Sequence, residues 1–401
     1  MRVTDDQRRA RLARRHLLAT PGATPEEAAE AVVALHATDP ATVHLSVAAR
    51  TTGTTAEPAA PETERALYDD RTLVRLLGMR RTMFVVPREV APVVQAACAD
   101  DIAAKQRTLL VKHLTENGHP ESVPEAAGWL AEVEEATVEA LLARGEALGQ
   151  ELAADVPGLR QRLRMAPGKP YEAIGNVTSR VLFLLAAQGR IVRGRPRGTW
   201  LSTQYRWSPM DAWLPGGLPR IDAGTARAEL ARRWLHAYGP APIEDLRWWT
   251  GWTAAQAKKA LAAIGPAEVD LEGGGTGLLL PGDLEPEPEP GPWVALLPAL
   301  DPTPMGWAAR EWYLGPPGPH RDALFDRSGN IGPTIWCDGR IAGGWAQRPD
   351  GEIAVRCSAD VGAEASEKIA AAAARMGEWL GEVRVIPRFR TPLERELSGS
   401  S

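Results

Sequence analysis

Thr24-Pro25-Glu26-Glu27-Ala28-Ala29-Glu30-Ala31-Val32-Val33-Ala34-Leu35-His36-Ala37-Thr38-Asp39-Pro40 is the stretch that decides how this chain is read. It opens as a helix should, with Thr24 as N-cap, Pro25 in the first turn and carboxylates at Glu26 and Glu27. It closes with a His, a Thr and an Asp within four positions beside Pro40, where a core helix would carry Leu. Val43, Leu45, Val47 and Ala48 then resume an apolar face that runs to Arg50. The spacing predicts one helix ending at a polar corner, residues 36–39, and a second helix leaving it, the outline of a helix-turn-helix. Imidazole, hydroxyl and carboxylate can hold or deprotonate a water, so His36, Thr38 and Asp39 are the candidate catalytic residues. Asp39-Pro40 equally suits an N-cap and first turn, and His36 equally suits a satisfied interior histidine.

Residues 6–20 read outward from this point as a basic amphipathic helix, and 51–62 as an exposed loop. Residues 72–87 read as a helix feeding a short β-hairpin or strand. Helix, helix, helix and hairpin make a winged helix, and the order recurs. Residues 131–145 form an acidic helix, another begins at Gly149, and Val177–Gln188 is strongly apolar. Gly189–Trp200 then reads as two strands joined by a Gly/Pro turn, with Arg190, Arg193, Arg195, Arg197 and Arg206 as an acid-free basic run. A third copy has helices 226–238, 243–249 and 253–264, and strands 268–272 and 276–280 around Gly273-Gly274-Gly275. That glycine run is a hairpin turn, not a phosphate loop, because no helix follows it. Glu285-Pro286-Glu287-Pro288-Glu289-Pro290 is a stiff linker by composition. Beyond it come strands 293–298, 334–337, 340–347 and 352–357, a helix 361–380 and a last strand 383–387. The expected fold is therefore α+β: three tandem winged-helix modules followed by a small β-barrel with a packed C-terminal helix. The expected boundaries are 1–120, 121–222, 223–284, a linker 285–292, and 293–401.

Composition bounds the function. A chain of 401 residues should form two to four domains. No stretch approaches the roughly 20 apolar residues of a membrane span, and the first residues carry no hydrophobic signal segment. Cys98, Cys337 and Cys357 are scattered without metal spacing, which fits a reducing cytosol and leads to the expectation of a cytoplasmic monomer needing no metal or other cofactor. The net charge of −5 argues mildly against a nucleic-acid partner, but Arg greatly outnumbers Lys and is clustered. Guanidinium groups bind phosphate bidentately, so Arg50, Arg80, Arg81, Arg193, Arg195 and Arg197 are candidate phosphate contacts. Trp248, Trp249 and Trp252, at helical spacing, read as core rather than as a stacking platform.

The corner around His36 combines with a C-terminal block, Leu297-Pro298-Ala299-Leu300-Asp301, Gly306-Trp307, Arg310 and Asn330-Ile331-Gly332-Pro333-Thr334-Ile335-Trp336-Cys337-Asp338-Gly339-Arg340-Ile341-Ala342-Gly343-Gly344-Trp345. Together they resemble the winged-helix DNA glycosylases of the AlkZ/YcaQ type along nearly the whole chain. The resemblance implies a C-shaped scaffold holding double-stranded DNA, with hydrolysis of the N-glycosidic bond of alkylated purines and unhooking of interstrand crosslinks. It also implies that Arg327 and Asn330, in a turn at 326–330, probe the minor groove. Asp301 and Arg310 match family positions, and a buried structural ion pair is their plainer role. The family carries Gln-x-Gln or Gln-x-Asp at the corner; here His36 and Thr38 hold those positions, with Asp39 one residue later. That departure leaves a second reading, a non-catalytic winged-helix DNA-binding protein or transcription regulator. Against a regulator stand the lack of an obvious dimerisation helix, ligand domain or half-site geometry.

Overall fold

The structure is a computed structural model that describes residues 1–51, 60–119, 122–165, 168–169, 172–315 and 317–399. Most of the loop expected at 51–62 (residues 52–59) lies outside the described residues. The chain divides into two compact units. The first gathers Met1–Leu73, Phe84–Pro87 and Arg227–Ser401; the second gathers Val74–Met83 and Arg88–Ala226.

In the first unit, helix Asp5–Arg15 starts where the Thr4 side chain accepts the Gln7 N–H, satisfying one of the donors that a helix start leaves open. Apart from exposed Arg14, its arginines are buried or half-buried. Arg11 donates to the carbonyls of Asp283 and Glu285 at 2.7 and 2.6 Å, and Arg15 pairs with Asp283 and Glu287. The Glu/Pro stretch is therefore anchored along this helix by charge-assisted bonds rather than spanning open space.

Helix Pro25–Ala31 has the expected Thr24 cap, whose oxygen accepts the Glu27 N–H at 3.2 Å. It stops four residues short of Leu35, which corrects the sequence expectation. Val33 takes φ 64°, a left-handed conformation that a β-branched residue adopts at a cost, and the helix cannot continue through it. Leu35–His36 then forms a two-residue strand antiparallel to Phe84 and Val85. The corner is thus a strand end and a bend, not a joint between two helices. Helix Pro40–Ala48 follows, buried from Pro40 through Val47.

Helices Ile243–Thr250 and Ala254–Ile264 lie close to the expected limits, the latter opened by a Thr253/Gln256 capping box. Strands Ala267–Leu271 and Thr276–Leu279 form the expected hairpin, with Gly274 and Gly275 at φ 91° and 85°, where only glycine is unstrained. Arg2–Val3 adds a parallel third strand beside Asp270 and Leu271.

Strands Val294–Leu297, Thr334–Cys337, Arg340–Gln347 and Ile353–Cys357 make an antiparallel sheet in that order, with helix Ala363–Leu380 packed on it. The two outer strands do not pair with each other, so among the described residues this is an open sheet and not the expected barrel. The strand expected at 383–387 is also absent as a strand. Pro387 has no N–H for a ladder. Instead the Gln347 side chain acts as a surrogate partner, its Nε2 donating to the Val383 carbonyl at 3.0 Å and its Oε1 accepting the Val385 N–H at 2.8 Å.

The second unit packs helices Asp100–Glu116, Val123–Arg144, Gly149–Asp155 and Thr178–Ala187 around Leu110, Leu114, Leu130, Leu141, Leu152, Val181 and Leu185. The first of these was not foreseen. The acidic helix expected at 131–145 is the second half of a longer one. Ile191–Pro196 and Tyr205–Pro209 form a basic hairpin, but not the one expected within 189–200: a single strand fills that segment and its partner lies beyond Trp200, with the pairing irregular between Arg193 and Pro196. Leu73–Leu77, expected as a helix, is a buried strand leading to a tight turn in which the Gly78 N–H meets the Thr82 carbonyl at 2.8 Å. No helix among the described residues is long and apolar enough to cross a membrane.

Candidate functional site

His36 ends its short strand with 8% exposure, register-paired with Phe84 and edge-on to that ring at 5.5 Å. Thr38, two residues on, is half-buried in the bend, and Asp39 is buried. Both carboxylate oxygens of Asp39 have structural work. Oδ1 accepts the Ala41 N–H at 3.1 Å, capping helix Pro40–Ala48, and Oδ2 accepts the Arg388 N–H at 2.8 Å. Burial pushes the Asp39 carboxyl above the ordinary range, while those two N–H donors and the Arg388 charge pull it back. A cavity of about 10 Å³ behind Asp39, walled by Thr42, Pro333, Trp345, Val385 and Pro387, has room for about one water. The capping role weighed from sequence is therefore present, and Thr38 is the most open of the three.

Arg50 is not available to phosphate. It is 0% exposed, and its guanidinium forks onto Asp301, Nη1 to Oδ2 at 2.8 Å and Nη2 to Oδ1 at 2.6 Å. Burial alone would raise the Asp301 carboxyl; the Arg50 charge, with bonds from Ser46 and the Thr303 N–H, holds it below the usual range. The partner of Asp301 is thus Arg50, not Arg310. Arg310 instead donates to the Trp307 carbonyl at 3.0 Å and lies over the rings of Trp248 and Phe325. The network continues through the Thr303 hydroxyl, which accepts from Arg50 at 2.7 Å and meets His16 Nδ1 at 2.9 Å. His16 Nε2 faces the Ala237 carbonyl at 3.1 Å. A carbonyl only accepts, so Nε2 carries the proton and Nδ1 accepts from Thr303. Burial, then the Arg50 charge, push the His16 pKa down to about 3. Sequence reasoning missed this histidine because its partners lie more than 200 positions away.

Around this network the Gly306-Trp307 pair also becomes intelligible. A Cβ on Gly306 would stand 2.2 Å from Tyr238 Cε1, and Trp307 Nε1 donates to the Tyr238 carbonyl at 3.0 Å. Trp249 and Trp252 are buried, as a core role requires, and Trp248 is half-buried beneath Arg310.

The other candidate contacts fall into groups. In the second unit, Arg80 and Arg81 are exposed at their turn, at φ 52° and 62°. Consecutive left-handed non-glycine residues are costly, and such strain concentrates at functional segments. Arg81 reaches over the Phe183 ring at 5.7 Å and, with Arg180 and His113, lines a cavity of about 350 Å³. On the hairpin, Arg195 and Arg197 are exposed, while Arg193 is half-buried against the Tyr205 and Trp207 rings. Arg190 and Arg206, part of the basic run, are paired with Glu135 and Glu146. In the first unit, residues 326–330 form the expected turn, with Arg327 exposed at its tip. The Asn330 amide donates to Asp326 at 2.8 Å and so braces the turn from within.

No group of His, Cys, Asp and Glu among the described residues could hold a metal ion. Comparison with known proteins gives two positive findings. The family model described as DNA glycosylase AlkZ-like matches residues 29–379. The solved structure of the Streptomyces sahachiroi DNA glycosylase AlkZ superposes with a TM-score of 0.70 at 21% identity, covering 96% of this chain and 99% of that one. No curated protein matches the sequence significantly.

Proposed function

The chain belongs to the AlkZ-like DNA glycosylase family, and we propose that it hydrolyses the N-glycosidic bond of N7-alkylated purines in double-stranded DNA. The observation that carries this reading is the continuity of the family match, residues 29–379, through the corner at 36–39.

Alkylation at N7 leaves the purine cationic, so the base departs readily. What the protein supplies is a water at C1′ and stabilisation of an oxocarbenium-like sugar, the demand that glycoside cleavage generally makes. In this proposal His36 and Thr38, on one strand end and bend, hold the water between imidazole and hydroxyl. His36 accepts the proton as the C1′–O bond forms, and the glycosidic electron pair leaves with the purine. Asp39 is a fixed acceptor at the base of the corner; its negative charge, when ionised, favours the developing positive sugar. The exposed arginines Arg80, Arg81, Arg195, Arg197 and Arg327 hold phosphates and position the duplex without reading its sequence. The helix-and-hairpin segments act as winged helices in presenting them. Crosslink unhooking would follow from the same bond cleavage at a bridged purine.

Mass-spectrometric detection of free base from an N7-methylguanine duplex tests the reading. Wild-type protein should release base, and His36→Ala or Thr38→Ala should slow release by about 100-fold, the scale of a lost general base. Undiminished release in both variants removes these residues from the chemistry. A protein that shifts a specific fragment and releases no base is the regulator instead.

A further inference from the structure

We propose that the segment Val383–Phe389 is a strap that probes DNA beside the corner, with Ile386 pressing into a base step and Arg388 on the adjoining phosphate. The proposal rests on the DNA glycosylase reading above, and it concerns residues that the family resemblance did not single out.

The segment contains no helix or strand, yet it is fixed at successive points. Gln347 holds Val383 and Val385 through its side-chain amide, and the Asp39 carboxylate holds the Arg388 N–H at 2.8 Å. Side chains alternate between these anchors. Val385 is 7% exposed, and it and Pro387 wall the small cavity behind Asp39. Ile386 and Arg388 face the opposite way, into solvent. Ile386 is 69% exposed, more than any other large hydrophobic side chain among the described residues. It lies two residues from the Asp39 tether, hence at most about 7 Å along the chain.

A rigidly held branched apolar side chain beside an exposed guanidinium is the pairing that minor-groove proteins use to unstack a step while gripping the backbone. A protein partner would demand a contiguous apolar patch. Here a single isoleucine stands between Val385 and Pro387 with exposed Arg388 beside it, while the Arg384 guanidinium is turned onto the carbonyls of Pro349, Asp350 and Gly381. The Asp39 bond couples this strap to the helix cap at the corner, so the wedge and the proposed water site share one anchor.

The test uses the full chain and a duplex carrying 2-aminopurine next to N7-methylguanine. Fluorescence reports unstacking, anisotropy reports affinity, and mass spectrometry reports base release. Wild type should raise 2-aminopurine fluorescence severalfold on binding. Ile386→Ala should abolish that rise and slow base release at least tenfold with Kd changed less than threefold, while Ile386→Met, which keeps an apolar tip, retains the rise. Arg388→Ala should weaken binding about fivefold and lower the salt slope by about one. Ile174→Ala, at another exposed apolar site, should do nothing. The strap proposal is overturned if wild type gives no fluorescence rise, or if Ile386→Ala matches wild type. A wild type that unstacks the step but releases no base would instead count against the glycosylase reading alone.

Discussion

Replacing Asp301 by Ala should unfold the first unit at a much lower temperature, without any direct effect on a DNA contact. The carboxylate accepts from Arg50 at 2.8 and 2.6 Å, from the Ser46 hydroxyl at 2.7 Å and from the Thr303 N–H at 2.9 Å. All of these groups are buried, and Arg50 is 0% exposed, so its guanidinium is left without a counter-charge and out of reach of bulk water. Stranding one member of a buried pair typically costs about 3–5 kcal/mol. That is a large share of the roughly 5–15 kcal/mol that holds a domain together. At about 2–4 °C per kcal/mol for a unit of this size, the melting temperature should fall by about 10 °C. Tryptophan fluorescence can follow it, since Trp307 and Trp336 are buried in this unit. Arg50→Met with Asp301→Leu should recover most of the loss, because a well-packed apolar pair often replaces a buried ion pair at little net cost. The reasoning fails if Asp301→Ala melts within about 1 °C of wild type. It fails equally if Arg50→Met leaves stability intact but weakens DNA binding, since Arg50 would then be a phosphate contact after all.

Three further outcomes are expected. His16 has a folded pKa of about 3 against an unfolded value near 6.5, so the unfolded chain binds the extra proton. Stability should therefore be complete above about pH 6.5 and decline as pH falls toward 3, by about 1.4 kcal/mol at pH 5.5 from this residue. Urea titrations at pH 7.5 and 5.5 should show that loss in wild type and not in His16→Gln; equal losses would refute it. Arg195→Ala and Arg197→Ala should each lower the slope of log affinity against log salt by about one, without altering base preference, as fluorescence anisotropy across a salt series would reveal. Gly306→Ala should cost about 1–3 kcal/mol or more, because the Tyr238 ring is held by its hydroxyl bond to the Val32 carbonyl at 3.0 Å and cannot retreat.

The parts of the fold that were legible in sequence are those with local causes. Thr24 announced a helix start through its own oxygen, and Gly274-Gly275 announced a turn through backbone freedom. The family resemblance was likewise legible, because its residues lie in compact runs. What escaped depends on distant partners. Leu35–His36 is extended because Phe84 and Val85 lie alongside, and nothing in Val32-Val33-Ala34 states that. Sheet closure is a property of two edges, so strands 294–297 and 353–357 could not disclose that they stay apart. Arg50 looked like a surface arginine before a Thr/Gly-rich exit; its counter-charge is 251 residues away. Residues 383–387 read as a last strand because Val383, Val385 and Pro387 alternate with Arg384 and Ile386, but that alternation reflects anchoring by Gln347 and Asp39 rather than a ladder.

The first unit is stitched from chain ends: the Asp270 N–H bonds to the Met1 carbonyl at 2.8 Å, and Ser46 waits for Asp301. The second is drawn almost entirely from one run between Arg88 and Ala226. On a ribosome the interior stretch can therefore mature while the opening segment, already translated, is still without its mates. Until the last third arrives, groups such as the Ser46 hydroxyl and the Arg50 guanidinium lack the Asp301 carboxylate that later buries with them, so this unit can close only late in synthesis.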